Sequence, residues 1–313
     1  MAVKYLLSRL ALFVASILLI LVVAFFVVYR LPGDPARMIL GPRADAETVQ
    51  RFRTQAGLDR PIWLQFGGFA TRSLRLDFGD SLIQRRPVIQ LIRERAGYTL
   101  KLVAYALAIL VWFAILLPLA LSSMGLHSAD RVVRSLWGAA AAAPPYVLAL
   151  ITLVVMAGFL RWLPAVFEPD RFICWLFPSA VLAVYPTSLV SRLFANALER
   201  AMTSDYAVRA RAQGFPDRVI LLKEAVINAA TAPVSALANG LAYFVTGTFF
   251  VEAAFGIGGL GTLTYDSIRN KDVTVLASIC LLFAFVVSAV SAVLDLSQHL
   301  MDPRLRRSHE WIA

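Results

Sequence analysis

The chain has 313 residues, of which 59% are hydrophobic and only 16% are charged. A soluble domain usually carries about 25% charged residues, so this composition argues against an ordinary soluble enzyme or binding module. The formal net charge of +10 raises the question of nucleic acid, but no stretch interleaves its cations with stacking aromatic residues. We interpret the positive charge as the charge that sets membrane topology.

Six apolar runs follow one another along the chain, each close to the ~20 residues needed to cross a bilayer. They cover residues 10–29, 100–121, 137–159, 173–194, 233–255 and 273–296. The first run is too long for a signal peptide and no A-x-A cleavage site follows it, so we expect a retained signal anchor. The sequence therefore predicts an all-α integral membrane protein with about six transmembrane helices.

Lysines and arginines in the short loops predict which side of the membrane each loop faces. The segments expected inside carry Lys4, Arg9, Arg131, Arg134, Arg200, Arg209, Arg211, Arg218, Lys223, Arg304, Arg306 and Arg307. The short outside loops carry only Arg161, Arg171, Arg269 and Lys271. Because such residues are enriched in cytoplasmic loops, we expect both termini in the cytoplasm.

This topology divides the chain into four parts. Residues 1–30 form the cytoplasmic start and first span, 31–96 an extracytoplasmic segment, 97–302 a five-helix core, and 303–313 a cytoplasmic tail. The segment 31–96 also contains many arginines, but long translocated segments largely escape the charge rule. Its turn signals, PGDP at 32–35 and GLDRP at 57–61, predict an ordered and partly helical segment.

A second hydrophilic segment, at about 199–229, lies on the side expected to be cytoplasmic. We predict a helix over 205–213, a left-handed helix end at Gly214, and a second helix that begins near Pro216. A polar, basic pair of short helices between two spans has no use for lipid contact. It is either a solvated loop or a docking element for a soluble partner.

Catalytic signatures are absent from the sequence. The three histidines (His127, His299 and His309) belong to no H-E-x-x-H motif, and no G-x-S-x-G occurs. The G-x-G-x-x-G pattern at residues 256–261 follows a span rather than a strand, so we interpret it as a loop that permits close chain packing. No G-x-x-x-x-G-K-[ST] motif is present, so nucleotide energy has to come from a partner. We expect no cofactor.

The few polar or reactive groups in the spans have simple interpretations. Arg192, Glu252 and Asp295 lie near span ends, where we expect their side chains to reach the membrane surface. Cys174 and Cys280 form no metal or disulfide motif, and we interpret both as packing residues. No central proton relay is visible, which disfavours a secondary carrier. A stand-alone channel or carrier and a membrane-embedded enzyme remain the alternative functions.

Residues 205–214, DYAVRARAQG, resemble the cytoplasmic "EAA" loop of ABC importer permeases, closest to the dipeptide/oligopeptide/nickel branch and its first permease subunit. The resemblance extends over almost the whole chain through PGDP (32–35), GLDRP (57–61), DFGDS (77–81), RPV (86–88), WLPA (162–165), FPS (177–179), VEAAFGIGGLG (251–261) and DPR (302–304). One departure is Val208, which stands where the loop has its eponymous glutamate.

This resemblance implies a type I importer permease fold in the bacterial inner membrane. It implies a second homologous permease, two ATPase subunits and an extracytoplasmic solute-binding protein as partners. The chain would then form half of the pathway for a peptide-like or nickel-type solute. From its length and turn signals we also hypothesise that the segment 31–96 meets the binding protein or guards the outer mouth. The implied ATPase-coupling residues are Tyr206, Arg209, Ala210, Arg211, Ala212, Gly214, Phe215 and Pro216.

Overall fold

The structure, a computed structural model, describes residues 11–26 and 35–301, except 12, 24, 42, 56, 76, 82 and 165. Within these residues all regular structure is helical, apart from an isolated bridge between Asp80 and Pro87. The all-α prediction is therefore confirmed. The predicted turn residues 32–34, the start of the chain and the tail 303–313 lie outside the described residues.

The amino-terminal part contains four helices: α1 (Phe13–Val23), α2 (Pro35–Leu40), α3 (Ala46–Gln55) and α4 (Ile62–Leu74). The segment 31–96 is thus largely helical where it is described. The Asp45 carboxylate caps α3 by accepting the Thr48 N–H over 3.1 Å. Hydrogen bonds from Thr48 hold the pKa of Asp45 below its usual value, because they stabilise the ionised form.

The remaining chain forms longer helices. They are α5 (Val88–Ser123), α6 (His127–Ala140), α7 (Pro145–Phe159), α8 (Phe172–Met202), α9 (Asp205–Ala212), α10 (217–229), α11 (Thr231–Phe255), α12 (Leu260–Arg269) and α13 (Val273–Met301). Three of these helices contain π-helical turns, at Trp112–Leu116 in α5, Val154–Phe159 in α7 and Leu221–Ala225 in α10.

Three described helices, in α5, α8 and α13, are long and apolar enough to cross a membrane, and the number is five if each of two bent helix pairs forms one span. The helix α1 is the described part of the predicted first span, 10–29. The spans lie where the sequence predicts them, with two differences. Residues 137–159 do not form one straight helix, because α6 and α7 meet at an angle of 100° around Pro144 and Pro145. The helix α5 begins at Val88, well before residue 100.

The described residues fall into two compact units. The first unit comprises the described parts of Met1–Gly97 and Gly258–Ala289. One of its cores contains Val88, Leu91, Ile92, Leu260, Leu263, Val275 and Ile279. Within this unit the Ser81 hydroxyl donates to the Asp272 carboxylate over 2.5 Å, and Asp272 also accepts the Val275 N–H at the start of α13.

The second unit comprises the described parts of Tyr98–Ile257 and Val290–Ala313. The helix α8 lies at its centre: most of the apolar stretch of α8 is buried, including Pro178 and Pro186. Prolines are tolerated in membrane helices because neighbouring groups satisfy the freed backbone positions. The helix α11 packs closely against α8 at Gly247, where a Cβ atom would lie 2.6 Å from Cδ1 of Leu182.

Two expectations about individual side chains are wrong. Glu252 does not reach the membrane surface: it is 0% exposed and accepts a hydrogen bond from Thr99. Cys280 is exposed, whereas Cys174 is buried as a packing residue. In the glycine-rich loop, a Cβ atom at Gly256 or Gly258 would meet nothing within 4 Å, whereas Gly261 is buried. Gly256 adopts a φ of 68° and ends α11.

Candidate functional site

The hydrophilic segment between α8 and α11 folds into a compact helix-turn-helix, which we call the coupling element (residues 199–229). It contains the last turn of α8, then α9 and α10. The helix α9 spans Asp205–Ala212, one residue shorter than predicted, and α10 begins at Asp217, directly after Pro216. The predicted order of helix, glycine turn and helix is therefore what the structure contains.

Gly214 sets the turn between the two helices. Its φ of 85° is in the left-handed region, which residues with a Cβ atom adopt at a cost. The Phe215 N–H donates to Ala210 O over 3.1 Å, and the Gly214 N–H donates to Arg211 O over 2.9 Å. These two bonds form a Schellman motif, which satisfies carbonyl groups at the end of α9 and fixes the direction in which the chain leaves it.

The inner side of the coupling element is apolar. Ala207, Ala210 and Ile220 form a buried cluster, against which Met202 and Tyr206 pack. A second cluster joins α10 to the last turns of α8 and contains Phe194, Ala197, Leu198, Ala201, Leu221, Ala225 and Ala229. Because close-packed clusters of this kind deform little, a displacement of the element also displaces the end of α8.

An ion pair connects the two short helices. Arg211 Nε donates to Asp217 Oδ1 over 2.7 Å, and Arg211 Nη1 donates to Met202 O over 3.0 Å. The guanidinium thus links the end of α8, α9 and the start of α10. The sequence resemblance missed Asp217, although an acidic residue in the first turn of the second helix was a usable signal.

The outer side of the coupling element exposes apolar and basic side chains together. Phe215 is 51% exposed and Val208 is 55% exposed. Arg209, Ala212, Pro216 and Arg218 are also exposed. Exposed aromatic and arginine side chains are typical of the central residues of protein interfaces.

The eight residues implied by the resemblance therefore fall into two groups. Arg209, Ala212, Gly214, Phe215 and Pro216 lie on the exposed side, together with the outer part of Arg211. Ala210 is buried and Tyr206 is half-buried, so both belong to the packing side. The Tyr206 hydroxyl is buried and has no hydrogen-bond partner among the described residues.

No described group of three or more histidine, cysteine, aspartate or glutamate residues is arranged to hold a metal ion. What the geometry does provide is a rigid surface element attached to a membrane-spanning helix. Such an arrangement can transmit a movement between a soluble partner and the spans. The candidate spans and this surface element together define a helical membrane protein with a polar helix pair on its surface.

Comparison with known proteins identifies the family. A family model described as "Binding-protein-dependent transport system inner membrane component" matches residues 114–307, and the model of the corresponding N-terminal region matches residues 2–103. The chain belongs to this family of inner-membrane permease components, and it is a subunit of an ATP-binding-cassette importer.

Curated relatives align with this chain over nearly its full length. The chain is 31% identical over 303 residues to "Glutathione transport system permease protein GsiC" of Salmonella choleraesuis (strain SC-B67) and of Salmonella typhi. It is 29% identical to the protein of the same name from Escherichia coli (strain K12). In each case the match covers 97% of this chain and 99% of the relative.

Proposed function

We propose that this chain forms half of the translocation pathway of an importer for a peptide-like solute, and that the coupling element binds an ATPase subunit. The observation that supports this proposal is the two-sided construction of the element. Its apolar inner side is packed onto the end of α8, while its outer side presents Phe215 and arginines to a partner. Movement of that partner is then transmitted to the spans.

The complete importer contains a second, homologous permease, two ATPase subunits and an extracytoplasmic solute-binding protein. Both termini of this chain lie in the cytoplasm, on the same side as the coupling element. Closure of the ATPase pair on ATP brings the two coupling elements together and switches the spans between inward-facing and outward-facing states. The peptide-like character of the solute rests on the relatives, whose name assigns them to glutathione transport.

The test uses the complete importer in proteoliposomes, with its binding protein and radiolabelled glutathione. We expect uptake that requires ATP and that is lost in Gly214→Asp, although this variant still inserts in the membrane. The matched control is Gly125→Asp, since Gly125 has a similar φ of 75° and equally open surroundings but lies outside both the coupling element and the segment 31–96. An assembled Gly214→Asp complex with normal ATP-dependent uptake would refute the proposal.

A stand-alone channel or secondary carrier is the alternative function. The chain purified alone and reconstituted without ATPase subunits separates the two functions. Solute uptake by the chain alone supports the alternative, whereas uptake only by the full complex supports the importer.

We also propose that the helix α4, in the extracytoplasmic segment, contacts the binding protein. Its adjacent residues Trp63 and Leu64 are large, apolar and mostly exposed, and contiguous exposed apolar surface can mark an interaction site. Replacing both by serine is expected to lower the stimulation of ATPase activity by the binding protein and to leave the basal ATPase activity unchanged. Full stimulation of the doubly substituted complex would contradict this assignment.

A further inference from the structure

An exposed tyrosine interrupts the buried surface of α8. All residues from 181 to 188 are buried except Tyr185, which is 42% exposed. Its ring stacks on the ring of Tyr243 in α11, with centroids 4.5 Å apart and planes inclined by 23°. Both residues lie near the middle of their helices, so the pair is at the depth of the bilayer interior rather than at its surface.

This pair continues into a larger polar and aromatic surface, which we call the tyrosine face (Tyr146, Tyr185, Tyr243, Thr246 and Phe250). Tyr243, Thr246 and Phe250 share one side of α11, because residues three and seven positions apart lie on the same helix face. Thr246 and Phe250 are exposed. Tyr146, in α7, is also exposed, and the centroid of its ring lies 6.3 Å from the centroid of the Phe250 ring.

The chemistry of this surface does not suit lipid. Three tyrosine side chains lie on it, and hydrocarbon offers a tyrosine hydroxyl no hydrogen-bond partner. Other exposed positions of the spans have the opposite character: Leu150, Ile151 and Val154 on α7, and Phe285, Val286 and Val293 on α13. Those purely apolar positions are the ones that match a hydrocarbon environment.

The packing behind the tyrosine face holds it in one geometry. Gly247 of α11 lies directly against Leu182 of α8, with no room for a Cβ atom. Leu182 is itself buried in the main core of this unit. The two helices are therefore in direct contact one turn from Tyr243, and this contact fixes the distance between the two stacked rings.

We propose that the tyrosine face contacts the solute during its passage and selects for peptide-like solutes. This inference rests on the proposed function. Aromatic rings pack on the flat faces of peptide groups, and tyrosine and threonine hydroxyls both donate and accept hydrogen bonds. From Tyr243 to Phe250 the face extends about 10 Å along α11, which is the length of about three extended residues. A tripeptide-sized solute therefore fits it end to end.

Two double variants test the proposal in the reconstituted importer, with glutathione, dialanine and trialanine as separate probes. In Tyr185→Phe/Tyr243→Phe the rings remain but both hydroxyls are lost, and we expect uptake to fall about fivefold. In Tyr185→Leu/Tyr243→Leu the rings are lost as well, and we expect a fall of at least about tenfold with altered preference among the three probes. ATPase stimulation by the binding protein is expected to persist in both.

The matched control is Tyr265→Leu, because Tyr265 is 44% exposed but lies on α12, outside the tyrosine face. Uptake of all three probes is expected to be unchanged in this control.

Two outcomes overturn the proposal. One is unchanged uptake of every probe by both double variants. The other is normal uptake by the Phe pair together with failed complex assembly by the Leu pair, which assigns the face to the second permease subunit. Wild-type complex that shows no ATP-driven uptake refutes the proposed function instead.

Discussion

The Thr99 hydroxyl donates to Oε1 of Glu252 over 2.6 Å, and both side chains are buried in the unit that contains α8. The bond joins α5 to the last turn of α11, just before the left-handed residue Gly256 ends that helix. A buried carboxyl group requires such partners because desolvation is costly. Glu252 therefore has a structural role at this helix end.

We predict that Thr99→Val destabilises the protein by about 1–2 kcal/mol, since it leaves a buried carboxyl group with one hydrogen bond fewer. Thermal unfolding in detergent, followed by size-exclusion chromatography, measures the change. Thr203→Val is the control, because Thr203 is exposed and its hydroxyl bonds only within its own helix end. Equal unfolding temperatures for the two variants would contradict the role of the Thr99–Glu252 bond.

We expect Gly214 to affect the binding of the ATPase subunit through its backbone conformation. We predict that Gly214→Ala weakens ATPase-subunit retention by about 1–2 kcal/mol, the cost of the left-handed conformation for a residue with a Cβ atom. Gly214→Asn should cost less, because asparagine adopts this conformation more readily. Copurification of the ATPase subunits measures their retention, which we expect to be higher in Gly214→Asn than in Gly214→Ala. Since the space around Gly214 is open, an equal loss in both variants would point to a steric contact with the partner instead.

The Arg211–Asp217 pair should contribute little to stability and more to partner binding. The Arg211 side chain is 40% exposed and that of Asp217 is 68% exposed, so solvent screening limits their coupling to about 0.5 kcal/mol in a double-mutant cycle of unfolding. Loss of Arg211 also removes the bond to Met202 O, so we expect Arg211→Ala to lower ATPase-subunit retention more than Asp217→Ala does. Equal retention in the two single variants would contradict a role of Arg211 in orienting α9.

Substituting alanine for two different helical glycines is expected to change the free energy of unfolding in opposite directions. Gly247→Ala introduces a Cβ atom 2.6 Å from Leu182 Cδ1, and we predict a destabilisation of about 1–3 kcal/mol from overpacking. Gly97→Ala, in α5, meets nothing within 4 Å, and we predict a gain of about 0.5–1 kcal/mol from reduced chain entropy. Thermal unfolding of both variants measures the difference. A destabilisation by Gly97→Ala as large as that by Gly247→Ala would refute the packing argument.

The sequence predicts the helical class, the position of the spans and the turn at Gly214, because each has a strong local signal. Apolar runs of ~20 residues are typical of membrane-spanning helices, and a glycine between two short helices favours a left-handed turn. The predicted start of α5 is too late, because Arg93, Glu94 and Arg95 interrupt the apolar run. The helix nevertheless continues through them, and in this region Arg86 forms an ion pair with Glu94.

Other features depend on long-range packing and have no local signal. Nothing near Glu252 in the sequence indicates that Thr99, 153 residues away, reaches its carboxyl group. The stacking of Tyr185 on Tyr243 depends on the close approach of α8 and α11 at Gly247. The break at Pro144 and Pro145 is different, because it has a local signal: consecutive prolines can kink a span, since they end one helix and begin the next.

The π-helical turn Leu221–Ala225 has a consequence for the angular phase between the coupling element and the span α11. Each residue of an α-helix turns the chain by about 100°, and a π-helical turn holds one residue more than an α-helical turn of the same height. Deleting one residue from 221–225 would therefore convert this turn into an α-helical one and leave the angular phase of the following residues nearly unchanged. Deleting one residue from the α-helical stretch Val226–Ala229 would instead rotate everything after it by about 100°, and coupling would then fail through misdirected faces.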